Sequence, residues 1–296
     1  MKRSDFLDHI SWTGAGIVFS VSSGGILSST ALARADSDDP KFSFVQISDS
    51  HIGFNKAAND HVAQTLQQTV DAINALEYQP AFVMHTGDVT HLAKPAQFDT
   101  AKSILSSLKA PLISVPGEHD VIGDQGAAYF AAMGHKDAPN GWYSWDQGGI
   151  HFIALVNVFN FEKMGLLTQP QLDWLAKDLA AQKKDTPLVV FGHVPLYALY
   201  PDWGWTTEDG SKALAMLAPF TSVTILNGHI HQTVEHKEGN LNFYTAASTA
   251  YPQPAPGVGD GPGPLVVPSD HLLGVLGYRS VNWTGQKALV TQHALG

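Results

Sequence analysis

Short apolar runs alternate along the chain with longer stretches in which apolar residues recur every three or four positions. Phe42–Ser48, Ala81–His85 and Leu112–Val115 have strand character. Between them, His61–Leu76 carries Val62, Leu66, Val70 and Ile73 at helical spacing, and Pro95–Leu108 reads as a second helix. Tyr143–Trp145 and His151–Val156 read as consecutive strands turning at Gly148-Gly149. Gln169–Gln182 reads as a helix with Thr168 as N-cap and Pro170 in its first turn. Leu188–Phe191, Val223–Leu226 and Phe243–Ala246 add strands, and the tail has strand character at Leu272–Tyr278 and Lys287–His293. Pro252–Pro268 is rich in Pro and Gly and reads as a long surface loop. The pattern predicts an α/β protein with no internal repeat and no linker.

Five segments break this pattern in the same way. Asp49-Ser50-His51, Gly87-Asp88, Gly117-Glu118-His119-Asp120, Gly192-His193 and Gly228-His229-Ile230-His231 each follow an apolar run. In open α/β sheets, ligands gather beyond the carboxyl ends of strands, so side chains from separate loops can converge on one crevice. The neighbouring glycines are expected to let the chain turn sharply and approach an ion closely. Carboxylates and imidazoles without thiolates suit hard or borderline ions such as Mn, Fe, Zn or Ni. A lone His or Asp would mean little; five such segments in register point to a metal-dependent hydrolase.

Composition narrows the class. The chain has 296 residues, 44% of them hydrophobic, a formal charge of −10 and no cysteine. That charge, with Arg3, Arg34 and Arg279 as the only arginines, argues against a nucleic-acid binder. Disulfides and thiolate metal sites are excluded. Residues 1–35 read as an export signal: Lys2-Arg3 at the start, a weakly apolar stretch from Thr13 to Leu32, and Ala33-Arg34-Ala35 as a cleavage site. Lys2-Arg3-Ser4-Asp5-Phe6-Leu7 resembles a twin-arginine signal with Lys in place of the first Arg. The expected location is periplasmic or extracellular, with no stable membrane insertion after processing.

With these motifs in view, the chain resembles the calcineurin-like metallophosphoesterase superfamily, whose pattern is D-x-H, G-D, G-N-H-[DE], G-H, G-H-x-H. Tyr143-Ser144-Trp145 with Gly149-Ile150-His151-Phe152-Ile153 is similar to the family's central hairpin, and Gln171-Leu172-Asp173-Trp174-Leu175 to its helix before the fourth motif. The match runs from about Phe42 to Ser248. It implies a four-layer αββα sandwich, with residues 36–296 as a single domain of this type carrying a C-terminal extension. It also implies two divalent or trivalent transition-metal ions and a small phosphate monoester or diester, cleaved by a water activated between them.

Carried over position by position, the resemblance assigns Asp49, His51 and His231 to one ion, and His193, His229 and residue 118 to the other, with Asp88 between them. His119 would face the leaving-group oxygen, and Asp120 would orient that imidazole. Glu118 departs from the family's Asn. It replaces a neutral carbonyl and an amide donor with a charge and no donor. Three outcomes stay open: it binds the second ion as an anion, it swings out, or it disables that ion. The alternative function is therefore a catalytically weak metal- or ligand-binding protein on the same fold. The other histidines lack the spacing of a second site; His85, within a strand, reads as core or as a support behind the ligands, and His91, three residues past Asp88, could line the pocket. Tyr200, Trp203 and Trp205 form an aromatic loop that could stack on a nucleobase, cover an apolar leaving group, or simply pack.

Overall fold

The structure, a computed structural model, describes residues 17–21, 27–31, 42–134, 138–285 and 287–296. Strands β1 (Ile17–Val21) and β2 (Leu27–Ala31) pair antiparallel with each other. Lys2-Arg3 and Ala33-Arg34-Ala35, which carry the export expectation, lie outside the described residues.

Two mixed sheets form the body. The first contains β3 (Phe42–Ile47), β4 (Val83–His85), β5 (Leu112–Ser114), β12 (Gly277–Trp283) and β13 (Ala288–Ala294), in the order β13-β12-β3-β4-β5. The second contains β6 (Tyr143–Gln147), β7 (Ile150–Ala154), β8 (Leu188–Phe191), β9 (Val223–Asn227), β10 (Glu235–Glu238) and β11 (Leu241–Thr245), in the order β10-β11-β9-β8-β7-β6. Strands β3-β4-β5 and β7-β8-β9 run parallel within their sheets, and all of them except β7 lead into a candidate ligand. Their loops therefore leave each sheet at the same end.

Alternation along the strands sorts the side chains into three apolar layers. Phe44, Phe82, Met84, Phe152, Val189, Phe191 and Leu226 pack between the sheets. Val45, Ile47 and Val83 face the other way, against α1 (Val62–Asn74) and α2 (Pro95–Leu105), with Tyr129 of α3 (Ala127–Met133) in the same cluster. Ile153, Leu188, Val190, Val223 and Ile225 face α4 (Gln169–Ala180) and α5 (Gly210–Leu217). Both faces of these strands are buried, which is why they read as continuous apolar runs. The result is the expected helix–sheet–sheet–helix sandwich. Among the described residues no helix is long and apolar enough to cross a membrane.

Some local expectations are corrected. Leu272–Val275 is a short helix, α6, and the strand begins only at Gly277. The tail then completes the first sheet, with β12 antiparallel beside β3. Thr168 does not cap α4 with its side chain. The Asp209 carboxylate accepts from the Leu167 and Thr168 N–H groups at 2.8 and 3.0 Å instead.

Candidate metal centre

All five motifs meet beyond the carboxyl ends of the strands. Backbone bonds join the first two loops: Asp49 N–H donates to Gly87 O (3.0 Å), His51 N–H to Asp88 O (2.9 Å) and Ile52 N–H to Val89 O (3.0 Å). The backbone is forced into unusual conformations here. Asp49, His51, Asp88, His229 and His231 all have positive φ, between 42° and 69°. Left-handed backbone costs a non-glycine residue on the order of 1 kcal/mol or more, and such residues cluster at functional sites. Gly87 (φ 99°) has no alternative, since a Cβ there would strike the His193 ring. Gly117 is needed for a different reason: a Cβ would strike the Asp88 carboxylate. Gly192 meets neither need, because nothing lies closer than 3.5 Å to a Cβ at that position.

Two groups of side chains converge. Ligand atoms of Asp49, His51 and His231 lie within 4.8 Å of one another, and so do those of Glu118, His193 and His229. One oxygen of Asp88 sits between the groups, 3.5 Å from His51 Nε2 and 3.4 Å from His193 Nε2. Its other oxygen accepts from the His119 N–H at 2.9 Å. Asp49 is held by the His229 N–H, which points at both its oxygens (3.1 and 3.2 Å).

The donor set fits metal ions on its own chemistry. His193 and His231 donate Nδ1–H to the carbonyls of Thr86 and Tyr251, both at 2.7 Å. Their Nε2 lone pairs therefore point inward, the usual effect of a carbonyl behind a metal-binding imidazole. His231 Nε2 lies 3.1 Å from His51 Nε2, a close approach of two nitrogens. Glu118 approaches His193 Nε2 at 2.8 Å and His229 Nδ1 at 2.9 Å. Yet Glu118 Oε2, His193 Nε2 and His229 Nδ1 are buried without a hydrogen-bond partner. Buried polar atoms are rarely left so, and an ion between them accounts for it.

Proton affinities point the same way. Burial works against charge on His193, but Asp88 and Glu118 outweigh it and hold its pKa well above the ordinary value. Burial would raise Glu118, yet His229 and His193 bring it well below the usual carboxylate range. Both directions come from carboxylates and imidazoles packed against one another out of water. Burial and the nearby imidazoles of His231, His119 and His91 keep His51 neutral, the form that ligates.

The structure places the other candidates differently from one another. His119 Nδ1 donates to the His91 carbonyl at 2.7 Å. Asp120 does not bond that imidazole. Its buried carboxylate accepts from the N–H groups of Gly117 (3.1 Å), Val89 (3.0 Å) and Thr90 (2.8 Å), and from Thr90 Oγ1 (3.0 Å). Burial and Asp88 nevertheless push it up to about 7. The loop geometry is the reason: residues 118–120 form a turn of 3-10 helix that points Asp120 back under the second motif. His85 is core, between Ser50 Oγ (2.6 Å) and the Gly87 N–H (3.2 Å). Trp205 is buried with Leu199, Ile230 and Val234, so the aromatic loop props the residue between His229 and His231.

Sequence reasoning missed Tyr251 and Gln253. Tyr251 stacks on His51 (5.0 Å between centroids) besides accepting from His231, and Gln253 Nε2 donates to the His229 carbonyl at 3.0 Å. Their one signal was position, just before and inside a Pro/Gly-rich segment that follows a strand.

Two facing mixed sheets with buried carboxylates and imidazoles at their loop ends define a metal-dependent hydrolase. The family model described as calcineurin-like phosphoesterase matches residues 42–233, and the chain belongs to that family. It is a phosphoesterase, and the buried clusters are consistent with the family's dinuclear metal centre. Among relatives, it is 29% identical to serine/threonine-protein phosphatase CPPED1 of Homo sapiens over 79% of this chain and 83% of that protein. It is 26% identical to a probable cyclic nucleotide phosphodiesterase of Rhodococcus erythropolis over 75% of this chain and 76% of that one. Its fold is similar to that of a dimetal phosphatase from Danio rerio, with a TM-score of 0.65, 13% identity, and coverage of 87% and 98% of the two chains.

Proposed function

We propose that this protein hydrolyses a small phosphate monoester or diester with two transition-metal ions. Asp49, His51 and His231 would hold one ion, Glu118, His193 and His229 the other, and Asp88 both. The observation that carries this reading is the single Asp88 oxygen placed almost equally from His51 and His193. Two ions so held polarise a phosphoryl oxygen and lower the pKa of bound water.

The chain's own residues supply the rest. Glu118 belongs with the second group as an anionic ligand, since both its oxygens reach imidazole nitrogens. Asp49, Asp88 and Glu118 bring three negative charges, so two dications leave one positive charge to attract the substrate. His119 is the proton donor. Burial works against its charge, but Asp88, Glu118 and the His91 carbonyl raise its pKa, so it keeps a proton for the leaving-group oxygen. Arg279 gives no clamp for phosphate: it is buried against Glu235 at 3.3 Å.

The test is metal analysis of the purified protein with a panel of esters. The relatives' names suggest which to include: a phosphoserine peptide, a cyclic nucleotide and a glycerophosphodiester. Two ions and turnover on at least one ester support the reading. One ion or none, with no turnover, favours the binding-protein alternative that Glu118 raises. We also propose export of the mature chain from near Asp36, on the strength of Lys2-Arg3 and Ala33-Arg34-Ala35. Sequencing the N-terminus of protein from the native host decides it, and an intact Met1 in the cytoplasm overturns it.

A further inference from the structure

His193, His231 and His119 are each held from behind by a backbone carbonyl: Thr86 O, Tyr251 O and His91 O. A carbonyl can only accept, so it fixes which ring nitrogen carries the proton. His51 has a different partner. Its Nδ1 faces another imidazole nitrogen, Nδ1 of His91, at 3.4 Å. Its Nε2 faces inward, toward His231 Nε2 and Asp88.

An imidazole can accept or donate, so this pair does not fix itself. If His51 donates Nδ1–H to His91, its Nε2 presents a lone pair to the centre. If His91 donates instead, the neutral His51 carries its proton on Nε2, which points it into the ligand cluster. Only the first arrangement lets His51 ligate.

We infer that His91 is a positioning residue: its Nδ1 lone pair accepts from His51, fixes that tautomer and so sets the affinity of the Asp49–His51–His231 group for its ion. This rests on the metal-dependent reading above.

The placement of His91 suits the task. Its N–H donates to Ile52 O at 3.0 Å, which pins it to the loop that carries His51. Its ring lies flat on His119, with centroids 4.9 Å apart and planes 16° off parallel, and edge-on to Phe54 at 5.3 Å. The ring is thereby confined between neighbours, and the contact with His51 does not depend on a free rotamer. A third ion held by His51, His91 and His119 is the competing use of this cluster. It would require His51 to ligate through both nitrogens, and the Nδ1 of His119 is already engaged by a carbonyl.

The test compares wild type with His91→Phe, which keeps a flat ring but removes the acceptor, and His91→Asn, whose Oδ1 can stand where Nδ1 stood. Zinc(II) is titrated into each metal-free protein in competition with a chromophoric chelator. Wild type should bind two ions. His91→Phe should bind one of them about 10–100-fold more weakly, the usual loss when a ligand's outer partner is removed, and leave the other unchanged. His91→Asn should restore most of the affinity. Should His91→Phe fail to fold, as judged by thermal unfolding without metal, His91→Ala takes its place.

Equal affinities in wild type and His91→Phe, or an Asn variant as weak as the Phe one, overturn the inference and leave the proposed function standing. A third zinc equivalent in wild type that His91→Phe loses also overturns it, in favour of a third ion. A wild type that binds no ion removes both readings together.

Discussion

Oε2 of Glu118 stands 2.8 Å from Nε2 of His193, and neither atom has a hydrogen-bond partner. A carboxylate so close to an inward lone pair calls for a cation between them. One charge at about 4 Å contributes on the order of 4 kcal/mol at an effective dielectric of ~20. Glu118→Asn should therefore loosen the second ion by at least tenfold and up to about 10³-fold. It should also raise kcat/KM on simple phosphate esters, because one negative charge no longer repels the substrate. A variant slower than native on every ester would sink this account and give Glu118 a positive catalytic role.

Asp88 touches both groups through one oxygen, so Asp88→Asn should affect both ions. Bound metal should fall below one equivalent. Activity should drop well beyond the roughly 10–100-fold typical of losing an outer partner. Two ions retained in the purified variant would contradict the assignment.

His119→Ala should keep both ions but lose about 10²–10⁴-fold in rate on esters with poor leaving groups. Activated aryl esters, whose leaving oxygen needs little protonation, should lose far less. Equal losses on the two substrates would argue that His119 binds phosphate and donates no proton.

Asp120 accepts from three backbone N–H groups that have no water to turn to. Asp120→Ala leaves them unpaired, at roughly 1–3 kcal/mol each. Thermal unfolding should fall sharply while the dependence on leaving group stays as in wild type. Unchanged stability with an altered leaving-group dependence would show that the carboxylate acts on His119 after all.

His151 gives a pH signature away from the metal centre. Its two ring nitrogens lie 2.8 Å from Asp146 and Asp178. Burial opposes its charge, but the hydrogen bonds to Asp178 and Asp146 prevail and raise its pKa. A raised imidazole pKa adds stability below the unfolded value of about 6.5. That stability is lost as pH rises through the folded value. His151→Gln should thus lower Tm at pH 6 and much less at pH 9. An equal loss at both would show that packing, not charge, is what His151 contributes.

The layered architecture was legible because burial on two faces leaves a plain mark. Val62, Leu66, Val70 and Ile73 are all buried, at the spacing that announced α1. The hairpin turns at Gly148-Gly149, where the glycine pair between two strand-like runs put it. Other features left no such mark. β10, Glu-His-Lys-Glu, is an edge strand held by its partner β11 more than by apolar content. α3 and α5 span only seven and eight residues, too few for a helical period to repeat clearly, and glycines stand at their ends. At the site, residue types were legible and backbone conformations were not. The positive φ of Asp49 and His231 follows from packing between loops far apart in sequence, which no local pattern records. Asp120 was misread for the same reason: its neighbour in sequence is His119, but besides Gly117 its partners are the distant Val89 and Thr90.

The pairing of β12 with β3 has a consequence for how the molecule is made. Phe44 and Val281 face each other across these strands although more than two hundred residues separate them. On a ribosome, β3 emerges more than two hundred residues before its neighbour β12. Until then the strand that leads into Asp49 is an open edge, a template for any other extended segment. Pairings of such long sequence separation form slowly, because loop closure must precede the contacts that reward it. The nascent chain passes through an interval in which much of the family signature has been synthesised and the sheet beneath its first ligand is still incomplete.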